Sequence, residues 1–115
     1  MQNKNENKSQ TQPKPTEEFI LPGSAWTQSV SSFDDLELKP DLIRGIYGFG
    51  FNKPTDIQAK GILPLLKGKD TIAQAQSGTG KTGTFLISSL QVLDEKSAHT
   101  QIMILTPTRE LAMQH

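Results

Sequence analysis

The first clear pattern along the chain is a helical one. Over residues 39–49, apolar residues recur three and four positions apart, which predicts one buried face of a helix. Pro40 suits the first turn of that helix, and Gly48 and Gly50 are typical of its end. The predicted apolar stripe consists of Leu42, Ile43, Ile46 and Tyr47.

A second helix is predicted to begin at Pro54–Thr55 and to close at Gly68, with Pro64 opening a fresh turn. Its apolar positions are Ile57, Ile62 and Leu63. Upstream, Trp26, Val30 and Phe33 are spaced four and three apart, which is also the spacing of one helix face. We expect these three residues to anchor the approaching chain onto the surface of a domain.

The second half of the chain predicts a strand–helix–strand order. A short strand is expected over 70–74 and another apolar run over 102–105, with a helix between them that ends near Leu93. A polar connector, 94–100, leads into the second run, and Pro107–Thr108 begins a further helix. Two strands joined by a helix form a right-handed parallel crossover, and parallel sheets normally contain more strands. The fold class we predict is α/β, the opening of a parallel-sheet domain truncated after about two strands.

Composition divides the chain into three parts. Residues 1–25 are mostly polar and are expected to form a disordered tail, because they offer too little apolar surface to offset the entropy of ordering. Residues 26–69 form a helical region, and 70–115 begin the α/β domain.

Charge, cysteine content and hydropathy limit the kinds of partner and the cellular location that we expect. Twelve basic and twelve acidic residues give no net charge, so any contact with nucleic acid has to come from local groups. The chain has no cysteine, no apolar run near the ~18 residues of a membrane span and no apolar signal-peptide core. We expect it to be intracellular and cytoplasmic, with a nuclear location as the alternative.

The segment 75–82, Ala-Gln-Ser-Gly-Thr-Gly-Lys-Thr, carries the strongest chemical signal. A glycine-rich loop between a strand and a helix lets backbone N–H groups point at phosphate oxygens, and the helix adds its positive end. Lys81 can reach the β- and γ-phosphates, and the Thr82 hydroxyl can bind Mg²⁺. A strict phosphate-loop pattern has glycine where this chain has Ala75. The alternative interpretation is a flexible turn with a solvated lysine.

A second segment, 50–58, has two compatible interpretations. Thr55 followed by Gln58 fits a capping box at a helix start, with Phe51 as a nearby apolar staple. Alternatively, the Gln58 amide accepts a hydrogen bond from adenine N6–H₂ and donates one to N7, while Phe51 stacks on the base. A capping interaction could hold the glutamine in place for base recognition.

Three ordered segments resemble the DEAD-box RNA helicases. The segment 50–58 is similar to their Q motif, and Phe33 matches the isolated aromatic upstream of it. Segment 75–82 resembles their motif I, in which alanine is usual at the first position, and 107–112 resembles motif Ia. The likeness is strongest to the translation initiation factor 4A group, which includes a nuclear exon-junction member.

The resemblance implies a RecA-like P-loop NTPase domain that binds ATP and Mg²⁺, with RNA held along its backbone. Lys81 and Thr82 are the expected catalytic residues, and Thr82 is the expected Mg²⁺ ligand. Pro107, Thr108 and Arg109 are expected to contact RNA phosphates. The residues expected to hold the nucleotide are Phe33, Phe51, Lys53, Gln58, Ser77, Gly78, Thr79, Gly80, Lys81 and Thr82.

The chain has no Asp-Glu-Ala-Asp segment, which the family uses to hold Mg²⁺ and position the attacking water. We therefore predict the N-terminal part of an ATP-dependent RNA helicase that does not catalyse hydrolysis as it stands. Its expected partners are RNA and translation-initiation or exon-junction factors. The alternative function is a non-catalytic module that binds nucleotide, RNA or a protein partner.

Overall fold

A computed structural model of the chain describes residues 28–114. This part of the chain is helical. A short 3-10 helix precedes four α-helices, and the bounds are Phe33–Leu36 for the 3-10 helix, Pro40–Phe49 for α1, Asp56–Leu66 for α2, Lys81–Val92 for α3 and Arg109–Gln114 for α4. None of the helices in residues 28–114 combines the length and apolar character needed to cross a membrane.

The core lies where the 3-10 helix and the first three α-helices meet. Phe33 and Ile62 are fully buried, and Leu36, Ile46 and Ile87 complete the cluster around them. Every one of these elements contributes a buried apolar side chain, which is the expected outcome of amphipathic helices covering one another's apolar faces.

The end of α1 is set by Gly50, whose φ of 106° lies in the left-handed region that glycine adopts without strain. The Gly50 N–H donates to the Tyr47 carbonyl at 3.1 Å, and the Phe51 N–H donates to the Ile46 carbonyl at 3.2 Å. This is the Schellman pattern of helix termination. The chain therefore reverses at the predicted glycine and carries Phe51 back toward α1.

Helices α2 and α3 pack closely where Gly61 faces Thr84. A β-carbon placed on Gly61 would lie 2.8 Å from the Thr84 Cγ2 methyl, which is closer than real contacts of this kind. The absence of a side chain at Gly61 thus allows the backbone of α2 to approach α3.

A second link joins the start of α1 to the end of α3. The Lys39 backbone N–H donates to Gln91 Oε1 at 2.8 Å, and the Lys39 ammonium donates to the Leu93 carbonyl at 2.5 Å. The Lys39 N–H and the Leu93 carbonyl lie at helix ends, where the first N–H groups and the last carbonyls have no partner within the helix. The Gln91 amide oxygen therefore satisfies the start of α1, and the Lys39 ammonium satisfies the end of α3.

The two predicted strands are wrong for the described residues, since neither 70–74 nor 102–105 has regular secondary structure in 28–114. Ile72 is 96% exposed, Met103 78% and Leu105 86%. A helix satisfies its own hydrogen bonds, whereas a strand requires a neighbouring strand to accept and donate them. The crossover predicted around α3 is accordingly not formed, although its helix is.

The upstream segment is anchored, although Val30 and Phe33 do not share one helix. Val30 lies before the 3-10 helix and donates its backbone N–H to the Ala59 carbonyl of α2 at 3.1 Å, and Phe33 is fully buried. The expected anchoring is thus confirmed for these two residues, of which only Phe33 lies in a helix, the 3-10 helix. Trp26 and the predicted tail 1–25 lie outside the described residues.

Candidate nucleotide-binding site

The glycine-rich loop ends at the N-terminus of α3. Gly78 has a φ of 79° and Gly80 a φ of 96°, and α3 begins at the next residue, Lys81. These left-handed glycines let the loop turn tightly into the helix, as the sequence predicts. The loop and the positive helix end are therefore in the order that a phosphate site requires.

Two side chains of the loop donate to its own carbonyl oxygens. The Lys81 ammonium donates to the Ala75 carbonyl at 2.5 Å, and the Thr79 hydroxyl donates to the Gln76 carbonyl at 2.6 Å. Lys81 is exposed, so its ammonium can exchange this carbonyl for the oxygen of a phosphate. Such an exchange would replace a neutral acceptor by a charged one.

Gln58 connects the start of α2 to the end of the loop. Its Oε1 accepts from the Thr55 N–H at 3.1 Å in a capping box, which confirms that prediction. Its Nε2 donates to the Gly80 carbonyl at 3.2 Å, across 22 residues of sequence. The side chain is fully buried, so a base can reach its remaining N–H and lone pair only after neighbouring atoms move.

The Gly80 carbonyl is the centre of this connection. It accepts from Gln58 Nε2, from the Thr84 N–H at 3.1 Å and from the Thr84 hydroxyl at 3.1 Å. A β-carbon on Gly80 would lie 2.6 Å from Gln58 Nε2 and 2.8 Å from Thr55 Oγ1. Only glycine fits at position 80 while the Gln58 side chain stays where it is.

Phe51 lies beside the same corner. A β-carbon on Gly83 would be 2.6 Å from Gln58 Nε2 and 3.7 Å from Phe51 Cζ, so the ring tip and the amide meet at the first turn of α3. Phe51 also contacts the fully buried Phe33 ring edge-on, with centroids 6.2 Å apart. Phe33 therefore packs against Phe51, the residue predicted to stack on the base, and is itself buried in the core.

The remaining predicted residues are fully or partly exposed. Lys53 and Ser77 are exposed, and Thr82 is half-buried in the first turn of α3. Residues 28–114 hold no cluster of three His, Cys, Asp or Glu side chains that could bind a metal ion. The Thr82 hydroxyl thus stays the predicted Mg²⁺ contact, together with the phosphates of a bound nucleotide.

The predicted RNA-contacting residues, Pro107, Thr108 and Arg109, are all exposed. Thr108 caps α4, because its Oγ1 accepts from the Leu111 N–H at 3.2 Å and its carbonyl from the Ala112 N–H at 3.2 Å. The structure therefore places Arg109 in the first turn of a solvent-facing helix. Contact with RNA stays a prediction for this segment.

Sequence reasoning did not find Gly83 and Thr84, which contact the Gln58 corner. One sequence signal was available for Gly83, since glycine in a helix interior costs about 1 kcal/mol relative to alanine and its presence suggests a packing reason. Thr84 has no such signal, because its role depends on α2 lying against α3.

A family model described as DEAD/DEAH box helicase matches residues 55–115. That match extends from the capping threonine of α2 through the loop and α3 to the last residue. The chain belongs to the DEAD/DEAH box helicase family.

Relatives of this helicase-family chain include two initiation factors. The chain is 60% identical over 89 residues to eukaryotic initiation factor 4A of Caenorhabditis elegans, covering 77% of this chain and 22% of the relative. It is 59% identical over 91 residues to the ATP-dependent RNA helicase eIF4A of Kluyveromyces lactis, covering 79% and 23%. The chain thus spans less than a quarter of the length of these relatives.

Two solved structures of helicase-family proteins superpose on the chain. One is a Saccharomyces cerevisiae Dbp5 variant bound to a Gle1 variant and IP6, with a TM-score of 0.72 and 43% identity over 76% of this chain and 23% of that one. The other is a DEAD box protein from Methanococcus jannaschii, with a TM-score of 0.70 and 41% identity over 75% and 24%. The helical arrangement of the described residues is therefore that of DEAD-box helicase domains.

Proposed function

We propose that the chain is the nucleotide-binding start of an ATP-dependent RNA helicase of the initiation factor 4A type. The observation that carries the proposal is the Gln58–Gly80 hydrogen bond, which joins the predicted base corner to the predicted phosphate loop. This hydrogen bond holds the predicted base-binding group next to the predicted phosphate-binding loop. A nucleoside triphosphate would contact both, whereas a free phosphate would contact only the loop.

In this proposal the adenine stacks on Phe51 and the Gln58 amide reads its edge. Ser77, Gly78, Thr79 and Gly80 surround the phosphates, Lys81 binds the β- and γ-oxygens, and Thr82 binds Mg²⁺. The left-handed Gly80 supports this assignment, since a side chain there would fill the corner between the loop and Gln58. ATP supplies the free energy of the helicase cycle, and the Mg²⁺ neutralises charge on its phosphates.

Pro107, Thr108 and Arg109 contact the RNA backbone in the same proposal, which makes binding independent of base sequence. The exposure of all three residues supports this role. We further propose that the protein acts in translation initiation in the cytoplasm and that its partners are other initiation factors. In this proposal, hydrolysis and unwinding also use the family's acidic Asp-Glu-Ala-Asp segment, which is not among the 115 residues.

Nucleotide binding is tested by titrating the 115-residue chain with ATP and GTP in the presence of Mg²⁺ and measuring the heat of binding. We expect ATP to bind more tightly than GTP, and Lys81→Ala to weaken both by more than about tenfold. The matched control is Lys96→Ala, an exposed lysine of the polar connector, which should leave both affinities unchanged. Equal affinity for the two purines would remove the assignment of the base site.

Helicase function is tested with a chimera in which residues 28–115 replace the matching segment of the C. elegans relative. We expect RNA-stimulated ATP hydrolysis by the chimera, and its loss in the Lys81→Ala chimera. Arg109→Ala should weaken RNA binding, and the slope of log affinity against log salt concentration should fall by the equivalent of about one phosphate contact. Arg44→Ala is the control and should change neither quantity. A chimera that binds ATP but shows no RNA stimulation supports the alternative of a non-catalytic binding module.

A further inference from the structure

Phe49, the last residue of α1, places an aromatic ring in water. Its side chain is 84% exposed, although the apolar stripe of the same helix is directed at the core. The ring instead stacks on Phe51, with centroids 5.6 Å apart and an angle of 25° between the planes. This centroid distance falls within the range that aromatic pairs favour.

The Schellman turn at Gly50 makes this pairing possible. The Phe51 N–H bonds to the Ile46 carbonyl, so the chain folds back over the last turn of α1. Phe49 and Phe51 flank the left-handed glycine and come to lie beside each other. The stacked pair is therefore a consequence of the helix end and not of a distant contact.

Phe51 is thereby held at several points. Phe49 stacks on it, Phe33 contacts it edge-on from the core, and its Cζ points to the Gly83 position at the start of α3. The Schellman hydrogen bond fixes its backbone. A ring held in this way loses little side-chain entropy when a ligand stacks on it.

We propose that Phe49 is a positioning residue for nucleotide binding, which holds the Phe51 ring so that a purine stacks on the face that Phe49 leaves open. This inference rests on the function proposed above and deepens it. Phe49 acts through Phe51, the ring on which it stacks. It therefore contributes to the affinity for any purine nucleotide and not to the choice between adenine and guanine.

The test compares three ligands, ATP, GTP and inorganic tripolyphosphate, titrated into the 115-residue chain and its variants in the presence of Mg²⁺. We expect Phe49→Ala to raise the Kd of ATP and of GTP by the same factor, about threefold to tenfold, and to leave the Kd of tripolyphosphate unchanged. Phe49→Tyr keeps the stacking ring and should retain the original affinities. Met113→Ala removes an equally exposed apolar side chain, 83% exposed on α4, and is the matched control.

Three results overturn the proposal. Unchanged nucleotide affinity in Phe49→Ala means that Phe51 needs no support from Phe49. Tighter binding means that Phe49 covers the face on which the base stacks. A parallel loss for tripolyphosphate means a general structural defect. Failure of the proposed function is a separate result, because it appears in the original chain as equal affinity for ATP and tripolyphosphate before any variant is compared.

Discussion

The Gln58 side chain donates a hydrogen bond to the backbone carbonyl of Gly80, 3.2 Å away, and both groups lie at the junction of α2 with the glycine-rich loop. The same amide closes the capping box at the start of α2. One side chain thus stabilises a helix start and fixes the last residue of the loop. Any change in the loop that moves the Gly80 carbonyl alters the environment of the predicted base-reading group.

Gln58→Glu should destabilise the chain strongly. The substitution keeps the acceptor for the Thr55 N–H but replaces the donor to Gly80 by a second oxygen in a fully buried position. We expect a loss of at least about 3 kcal/mol in the free energy of unfolding at neutral pH, measured by urea denaturation. Gln114→Glu, on an exposed position of α4, should change it by less than about 0.5 kcal/mol. Similar losses in both variants would contradict the role of the buried amide.

Gly80→Ala should disrupt the site more than Gly78→Ala. Both glycines have positive φ, but only at Gly80 would the added β-carbon also meet Gln58 Nε2 and Thr55 Oγ1. We expect the Gly80 variant to lose about 1–2 kcal/mol more stability than the Gly78 variant, by circular dichroism during denaturation. Two variants of equal stability would show that the loop moves freely away from Gln58.

Gly61→Ala and Gly45→Ala should have opposite effects, although both replace a glycine inside a helix. Alanine gains about 1 kcal/mol of helix propensity in either place. At Gly45 the new methyl meets nothing within 4 Å, so we expect a net gain of that order; at Gly61 it lies 2.8 Å from Thr84 Cγ2. Overpacking there should give a net loss of about 1 kcal/mol in urea denaturation.

The cause of the Gly61 effect can be isolated with Thr84→Ser, which removes the Cγ2 methyl and keeps the hydroxyl that donates to Gly80. The double variant Gly61→Ala with Thr84→Ser should regain most of the stability that Gly61→Ala loses. A double variant with purely additive losses would show that the α2–α3 contact is not where the methyl acts.

Lys39→Met should loosen the junction between α1 and α3. The substitution preserves the apolar stem but removes the donor to the Leu93 carbonyl at the end of α3. We expect a loss of about 1 kcal/mol in the free energy of unfolding, and faster amide hydrogen exchange in the last turn of α3. Lys96→Met, in the exposed connector, serves as the control and should leave that exchange unchanged.

The helices and the loop could be predicted from sequence because their determinants are local. Helix α1 ends through hydrogen bonds from the Gly50 N–H to Tyr47, three positions back, and from the Phe51 N–H to Ile46, five positions back. The Thr55–Gln58 capping box spans a single turn. The left-handed glycines of the loop act on their own backbone. Helix propensity, capping and turn chemistry all operate within a few residues, so they are visible in one stretch of sequence.

The strands could not be predicted correctly for the same physical reason. The apolar runs around Ile72 and Met103 have strand-like composition, but a strand exists only when a neighbour takes up its hydrogen bonds. No property of either run supplies that neighbour. In the described residues both runs are left without a ladder, and Ile72, Met103 and Leu105 are exposed.

The sequence by itself determined the helix ends, the capping box, the phosphate-loop turn and membership of a helicase family, since each depends on residues close together in the chain. Only the tertiary structure decided three contacts. Gln58 donates to the Gly80 carbonyl, Gly61 packs against the Thr84 methyl, and the Lys39 ammonium donates to the Leu93 carbonyl at the end of α3. Those contacts join residues more than twenty positions apart. Their geometry depends on how α1, α2 and α3 pack around Phe33 and Ile62, and no local pattern encodes that packing.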